Sequence, residues 1–157
     1  MIVGNITLAN NVFIDSTSSI NHIKIAEGVK VAKHCYLYGS EEFILEIGEK
    51  SYIGMKTIIN GFRGKVIIGS HVSIAPSVNI MADSGPNASQ EMQKFFPLVK
   101  GSVKIGDHCW LGTNSVIMPE VELGDFCVVA ANSFVNRSFE PYSVIGGNPA
   151  KLIKKLK

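Results

Sequence analysis

Aliphatic residues recur every six positions through most of this chain, and few folds accommodate that period. Leu8, Ile14 and Ile20 begin the series, and Ile25, Val31 and Leu37 follow. Ile47, Ile53 and Ile59 come next, then Ile68, Ile74 and Ile80, then Ile105, Leu111 and Ile117, then Leu123, Val129 and Val135. That is eighteen positions in six groups of three. A small residue often follows the aliphatic one, as at Gly48, Gly54, Ala75, Gly106, Gly112 and Ala130. Six is neither the 3.6 of a helix nor the 2 of a strand. It suits short strands joined at tight corners, three to a triangular coil, with each aliphatic side chain pointing inward onto its counterpart one coil away. Such a coil buries its core only against its neighbours, as in solenoids generally. The expected fold is all-β, a parallel β-helix of about six triangular coils.

The interruptions and the neighbouring positions agree with this. The spacing breaks after Ile20, Leu37, Ile59, Ile80 and Val135, each of which closes a group of three. All departures therefore fall at one edge of the triangle, where a loop leaves without disturbing the stack. The fourth residue after an aliphatic position is small at Cys35, Ser51, Thr57, Val72, Val78, Cys109, Ser115, Val121, Cys127 and Ser133, as an inward corner residue must be. All three cysteines occupy this slot, so they are expected to act as small buried hydrophobes rather than as reactive thiols. The third residue includes His34, His71, His108, Asn114 and Asn132. Asn and His tolerate the left-handed backbone conformation that a corner requires better than most residues do. His71 and His108 hold this place in consecutive coils and should stack.

Composition narrows the function. With 157 residues the chain is one domain's worth and large enough for a full core. The net charge of +2 argues against a nucleic-acid partner, which calls for a strong basic excess. No apolar run approaches the length of a membrane span. Met1 to Asn5 carries neither a basic region nor a long apolar stretch, so no secretory signal is expected. Three cysteines without a CxxC pair argue against a disulfide framework or a zinc site, and a cytoplasmic location is the default.

Two segments leave the repeat. Residues 149–157, from Pro149, alternate basic and apolar residues and suggest a short C-terminal α-helix capping a β-helix domain of residues 1–148. Residues 81–104 form the largest insertion, a protruding loop with the apolar pair Phe95-Phe96. A long excursion from a rigid scaffold is usually functional, and its apolar part needs something to pack on.

From about residue 40 onward the sequence resembles the hexapeptide-repeat acyltransferases, left-handed parallel β-helix proteins, and in particular their sugar, maltose and galactoside O-acetyltransferase branch. The resemblance rests on Trp110-Leu111-Gly112 and on the closing GGNPAK, Gly146 to Lys151. It implies acetyl transfer from acetyl-CoA, as co-substrate, to a hydroxyl of a saccharide, in a homotrimer with sites between adjacent solenoids and no metal. Cell-surface polysaccharide metabolism is the setting it suggests. Trp110 matches a tryptophan beside the pantetheine arm. Thr113 matches a position whose backbone N–H faces the thioester oxygen and would stabilise an oxyanion. Ala131 matches a small pantetheine contact, Asn136 and Arg137 match edge contacts further along the arm, and Lys151 and Lys154 match basic residues near the nucleotide phosphates.

One departure concerns the mechanism. The branch carries a histidine general base in the loop after the aliphatic residue at Ile80, and this loop contains none. Pro86 falls in its slot, and Gly85 or Asn87 would with a small gap. Asp83 is the nearest titratable side chain and Glu91 the next. Asp83 is the candidate base, with Asn87 orienting the acceptor. His71 or His108 from another subunit is an alternative. An amine acceptor, as on a nucleotide-linked amino sugar, would need a weaker base, and a CoA-binding homologue without catalysis would need none. Met55 and Lys56 stand where the galactoside branch has acceptor-contacting asparagines, which points to a different acceptor. A zinc enzyme on this scaffold would need three converging histidines, and here they are scattered.

Overall fold

A computed structural model describes residues 4–157. The chain winds into a parallel β-solenoid whose short strands stack into three sheets, the faces of a triangular prism. The first face is built from Ile6–Leu8, Ile23–Ile25, Leu45–Ile47, Val66–Ile68, Val103–Ile105 and Glu122–Leu123. The second runs through Phe13–Ile14, Lys30–Val31, Tyr52–Ile53, Ser73–Ile74, Trp110–Leu111 and Val128–Val129 into Ser143–Gly147 and Ala150–Lys155. The third stacks Ser19–Asn21, Tyr36–Tyr38, Ile58–Asn60, Asn79–Met81, Val116–Ile117 and Phe134–Val135.

The hexad positions form the core. Ile47, Ile68, Ile105 and Leu123 line the first face inside, Ile53, Ile74, Leu111 and Val129 the second, and Ile59, Ile80, Ile117 and Val135 the third, all buried. Each stands beside its counterpart in register, as Ile53, Ile74 and Leu111 do. The small corner residues are buried as well, from Cys35 through Ser51 and Thr57 to Ser133. Their hydroxyls satisfy corner carbonyls, as Ser115 Oγ does on Gly112 O at 2.8 Å and Ser133 Oγ on Ala130 O at 2.7 Å. The first coil is the exception: Leu8 is 48% exposed, since among the described residues its core is covered from one side only.

The corner residues have the positive φ expected of them, with His34 at 57°, His71 at 56°, His108 at 58°, Asn114 at 58° and Asn132 at 59°. At the edge between the first and second faces, His71, His108, Phe126 and Tyr142 stack ring on ring at 4.9, 4.7 and 5.0 Å. Lys157 Nζ sits 4.3 Å from the Tyr142 centroid. This ladder ties the chain end to the last three coils.

Two expectations need correction. Residues 149–157 do not form a helix. The chain reverses after Gly147, whose φ of 106° disfavours any side chain, and Ala150–Lys155 returns antiparallel to Ser143–Gly147. The reason is the open sheet edge. A helix would leave the backbone of Ser143–Gly147 unpaired, whereas a strand satisfies it and presents a lysine-rich edge outward. The repeat also runs further than Val135. Phe139 bridges Leu123, Ile145 pairs with Val129, and Ser143 fills the small buried slot between them. Phe139 and Ile145 are six apart, so this partial seventh coil was legible in the same pattern.

The excursion is narrower than 81–104. Met81 still belongs to the third face and Val103 begins the next first-face strand. Between them Asp83–Ser84 pairs antiparallel with Val99–Lys100, closing the base of the loop. A single helical turn, Gln90–Gln93, is capped by Ser89, whose hydroxyl accepts from Met92 N. Phe95 is 77% exposed and Phe96 66%, so among the described residues the apolar tip finds little to pack on.

Candidate active site

The residues expected to hold the acyl donor fall on two edges of the prism. Trp110 projects from the second face and is 57% exposed. Its row continues through Val128 and Val144 to Lys154. Three strand spacings place Lys154 about 14 Å from Trp110 along the solenoid axis. Thr113 and Ala131 turn the corner from the second face to the third, one coil apart. Thr113 O accepts from Asn132 N at 2.9 Å, and Thr113 Oγ1 donates to Pro76 O at 2.7 Å. Among the described residues no acceptor takes the Thr113 N–H, and Thr113 is exposed. Gly112 is required here, because a Cβ on it would stand 2.6 Å from Ala131 N. Lys151 pairs with Gly146 on the outermost strand and is exposed. Asn136 and Arg137 do not join this group. They follow Val135 onto the edge between the third and first faces, where Arg137 lies 5.0 Å from the Phe139 ring centroid.

Asp83 is on that third-to-first edge as well, at the base of the excursion. Asn60 Nδ2 donates to Asp83 Oδ1 at 2.9 Å, and Arg63 Nε lies 3.7 Å from Oδ2. Asn60 is itself held, its Oδ1 accepting from Phe62 N at 3.1 Å. Arg63 also reaches Asn87, donating from Nη1 to Oδ1 at 3.3 Å. Asp83 and Asn87 are thus brought together, as expected, but by a guanidinium that sequence reasoning missed. The register held the signal. Asn60 follows Ile59 as Met81 follows Ile80, and the two pair directly, which brings Arg63 alongside the start of the loop.

One chain does not bring Asp83 to Thr113. Ile80 and Ile117 are side by side, Asp83 lies three residues beyond the first and Thr113 four before the second. At roughly 3.3 Å per residue the two sites are about 20 Å apart across the third face. His71 and His108 stand at the third edge, with their ring faces engaged in the ladder.

The cysteines fill the small inward corner slot. All three are buried, and their thiols donate to carbonyls of the adjacent coil, Cys109 to Gly124 O and Cys127 to Glu140 O, both at 3.2 Å. Burial pushes the Cys35 thiol up, and the neighbouring Cys127 thiol, together with burial, pushes Cys109 up. Among the described residues no three His, Cys, Asp or Glu side chains gather as a metal site, and no helix is long and apolar enough to cross a membrane.

The pattern of the bacterial transferase hexapeptide family (six repeats) matches residues 102–137, the stretch that carries Trp110, Thr113 and Ala131. A probable macrolide acetyltransferase of Lysinibacillus sphaericus is 35% identical over 124 residues, 68% of this chain and 69% of that protein. The chain belongs to the hexapeptide-repeat acetyltransferases. Galactoside O-acetyltransferase of Escherichia coli (strain K12) is 31% identical over 122 residues, 77% of this chain and 57% of that enzyme. The chain spans between about half and about two thirds of the length of these relatives. Among solved structures, the hexapeptide-repeat acetyltransferase of Vibrio cholerae O1 biovar eltor, complexed with acetyl-CoA, is 27% identical with a TM-score of 0.65 and covers 90% of this chain and 72% of that one. The N-acyltransferase AntD of Bacillus cereus, in complex with dTDP and 3-hydroxybutyryl-CoA, superposes over 98% of this chain and 84% of its own, with a TM-score of 0.85 at 24% identity. The likeness to AntD is one of fold.

Proposed function

We propose that this acetyltransferase moves the acetyl group of acetyl-CoA onto the amine of a nucleotide-linked amino sugar, in a homotrimer whose sites lie between subunits. The observation that carries this reading is Asp83, held by Asn60 and Arg63 in the loop where an imidazole base is missing. A carboxylate is too weak a base to serve a sugar hydroxyl well, but it suffices to take the proton an amine sheds as it attacks. The nitrogen adds to the thioester carbonyl and the oxyanion meets the free Thr113 N–H. The nitrogen's proton passes to Asp83, the adduct collapses as the C–S bond breaks, and CoA leaves as the thiolate, which takes up a proton as Asp83 gives its own back to solvent. Trp110 flanks the pantetheine arm and Ala131 lines it. Asn136 and Arg137 stand on the edge that carries Asp83, so they reach the arm from the neighbouring subunit, and Lys151 and Lys154 face the nucleotide phosphates.

The gap of about 20 Å between Thr113 and Asp83 supports a shared site, since only a second copy can close it. The outer surfaces support the same assembly. The second and third faces expose Phe13, Tyr52, Trp110, Tyr36 and Ile58, whereas the first carries Lys24, Glu46, Lys104 and Glu122, the last two 3.4 Å apart. The apolar faces and the tip at Phe95-Phe96 fit against neighbours. A saccharide hydroxyl is the second reading, favoured by the galactoside O-acetyltransferase relative.

Free-thiol release from acetyl-CoA with a panel of nucleotide-linked amino sugars, free sugars and polysaccharide fragments tests the acceptor. Turnover with the amino sugars alone is expected, and turnover with hydroxyl acceptors alone overturns the reading. Co-expression of the Asp83→Asn and Trp110→Ala variants tests the shared site. With random mixing, about a quarter of the interfaces regain both intact halves, so activity returns above that of either variant. No recovery in assembled trimers refutes a site between subunits.

A further inference from the structure

A cleft of about 1060 Å³ opens beside Asp83, between the turn at residues 40–43, the corner at 62–65 and the return of the loop at 98–102. We propose that this cleft binds the nucleoside diphosphate part of the acceptor, with the base against Phe62 and the phosphates on Arg63 and Lys100. The proposal rests on the nucleotide-linked acceptor argued above and assigns it a place.

Arg63 decides the position. It lines the cleft and at the same time pairs with Asp83. A phosphate on the outer side of that guanidinium puts the attached sugar within reach of the carboxylate. Lys100 enters from the loop strand opposite, and among the described residues it forms no ion pair. Lys65 also faces the cleft but is already engaged by Glu46 and by the Ile44 carbonyl. Lys100 and the outer side of Arg63, whose inner side is shared with Asp83 and Asn87, are left for a short anion, which suits the charge-assisted contacts that diphosphates take.

Part of the remaining wall is apolar and aromatic. Phe62 is 61% exposed at the rim, and Phe43 and Leu98 stand nearby. An exposed ring at the edge of a cationic cleft is a platform on which a base of either kind can stack. Glu41 and Glu42 line the cleft too. Their carboxylates accept from ribose hydroxyls and repel a longer polyanion, so the pattern fits a single nucleotide rather than a nucleic-acid strand. The volume lies just above the roughly 300–1,000 Å³ typical of small-molecule sites, more than one sugar ring fills.

Calorimetric titration of the whole protein with UDP, dTDP and inorganic pyrophosphate tests this, in wild type and in the Lys100→Ala and Phe62→Ala variants. Both side chains are exposed, and unchanged acetyl-CoA binding controls for folding. Each variant is expected to weaken nucleoside diphosphate binding about tenfold, while pyrophosphate responds only to Lys100→Ala. Failure of both nucleotides to bind wild type, or equal affinity in all three proteins, overturns the assignment. If the nucleotides bind as expected but no nucleotide-linked amino sugar is acetylated, the cleft stands and the acceptor reading falls. If such a sugar is acetylated with an unchanged KM in both variants, the acceptor reading stands and the cleft is refuted.

Discussion

Replacing Asp83 by asparagine separates catalysis from stability. The substitution keeps the shape of the side chain, and its amide oxygen can still accept from Asn60 Nδ2, now at 2.9 Å from the carboxylate. What is lost is the charge facing Arg63 at 3.7 Å, with that arginine 42% exposed. Solvent screens such a pair, so its removal costs about 0–1 kcal/mol of stability. For a chain of 157 residues that lowers the melting temperature by no more than about 4 °C. A lost general base acts on another scale. It slows the reaction by about 10²–10⁴-fold, or about 2.7–5.4 kcal/mol on the barrier. Steady-state thiol release with the best acceptor, alongside a thermal melt, reads both quantities. The expected outcome is a large fall in kcat with KM and melting temperature nearly unchanged. A kcat within about threefold of wild type refutes Asp83 as the base.

Three further outcomes follow from the packing. Ile74→Ala, between Ile53 and Leu111 in the sealed core, should cost about 2–5 kcal/mol in urea unfolding, and Ile14→Ala in the open first coil less than half as much. Equal losses would mean that the coils do not stack as described. Gly147→Ala forces a side chain onto a φ of 106° and should destabilise by about 1 kcal/mol or more, with faster amide exchange confined to Ala150–Lys155. Cys35 and Cys109 have raised thiol pKa values, so less thiolate is present at any given pH. Native protein at pH 8 should alkylate at both sites far more slowly than denatured protein, as read by mass spectrometry, and equal rates would contradict their burial.

Much of this molecule is local and repetitive, and that part was legible in the residues. The period of six sets the coil, the small fourth residue identifies the inward corner, and His and Asn at the third mark its left-handed turn. Position along the chain then dictates neighbours, so the stacking of His71 on His108 followed from spacing alone. The same arithmetic, carried past Val135, would have reached Phe139, Ser143 and Ile145, and one step past Ile59 it would have reached Asn60.

What only the tertiary structure decided lies where the repeat ends or branches. Lys151 to Leu156 is amphipathic enough for a helix, and it is a strand because the last sheet edge offers unpaired backbone groups that no local pattern announces. Arg63 meets Asp83 and Asn87 because an excursion of irregular length folds back over the preceding coil, and its path depends on the hairpin between Asp83–Ser84 and Val99–Lys100. The separation of Thr113 from Asp83 is likewise a property of the prism. Two residues in consecutive coils lie on different edges of a rigid triangle, and no local rearrangement of one coil brings those edges together.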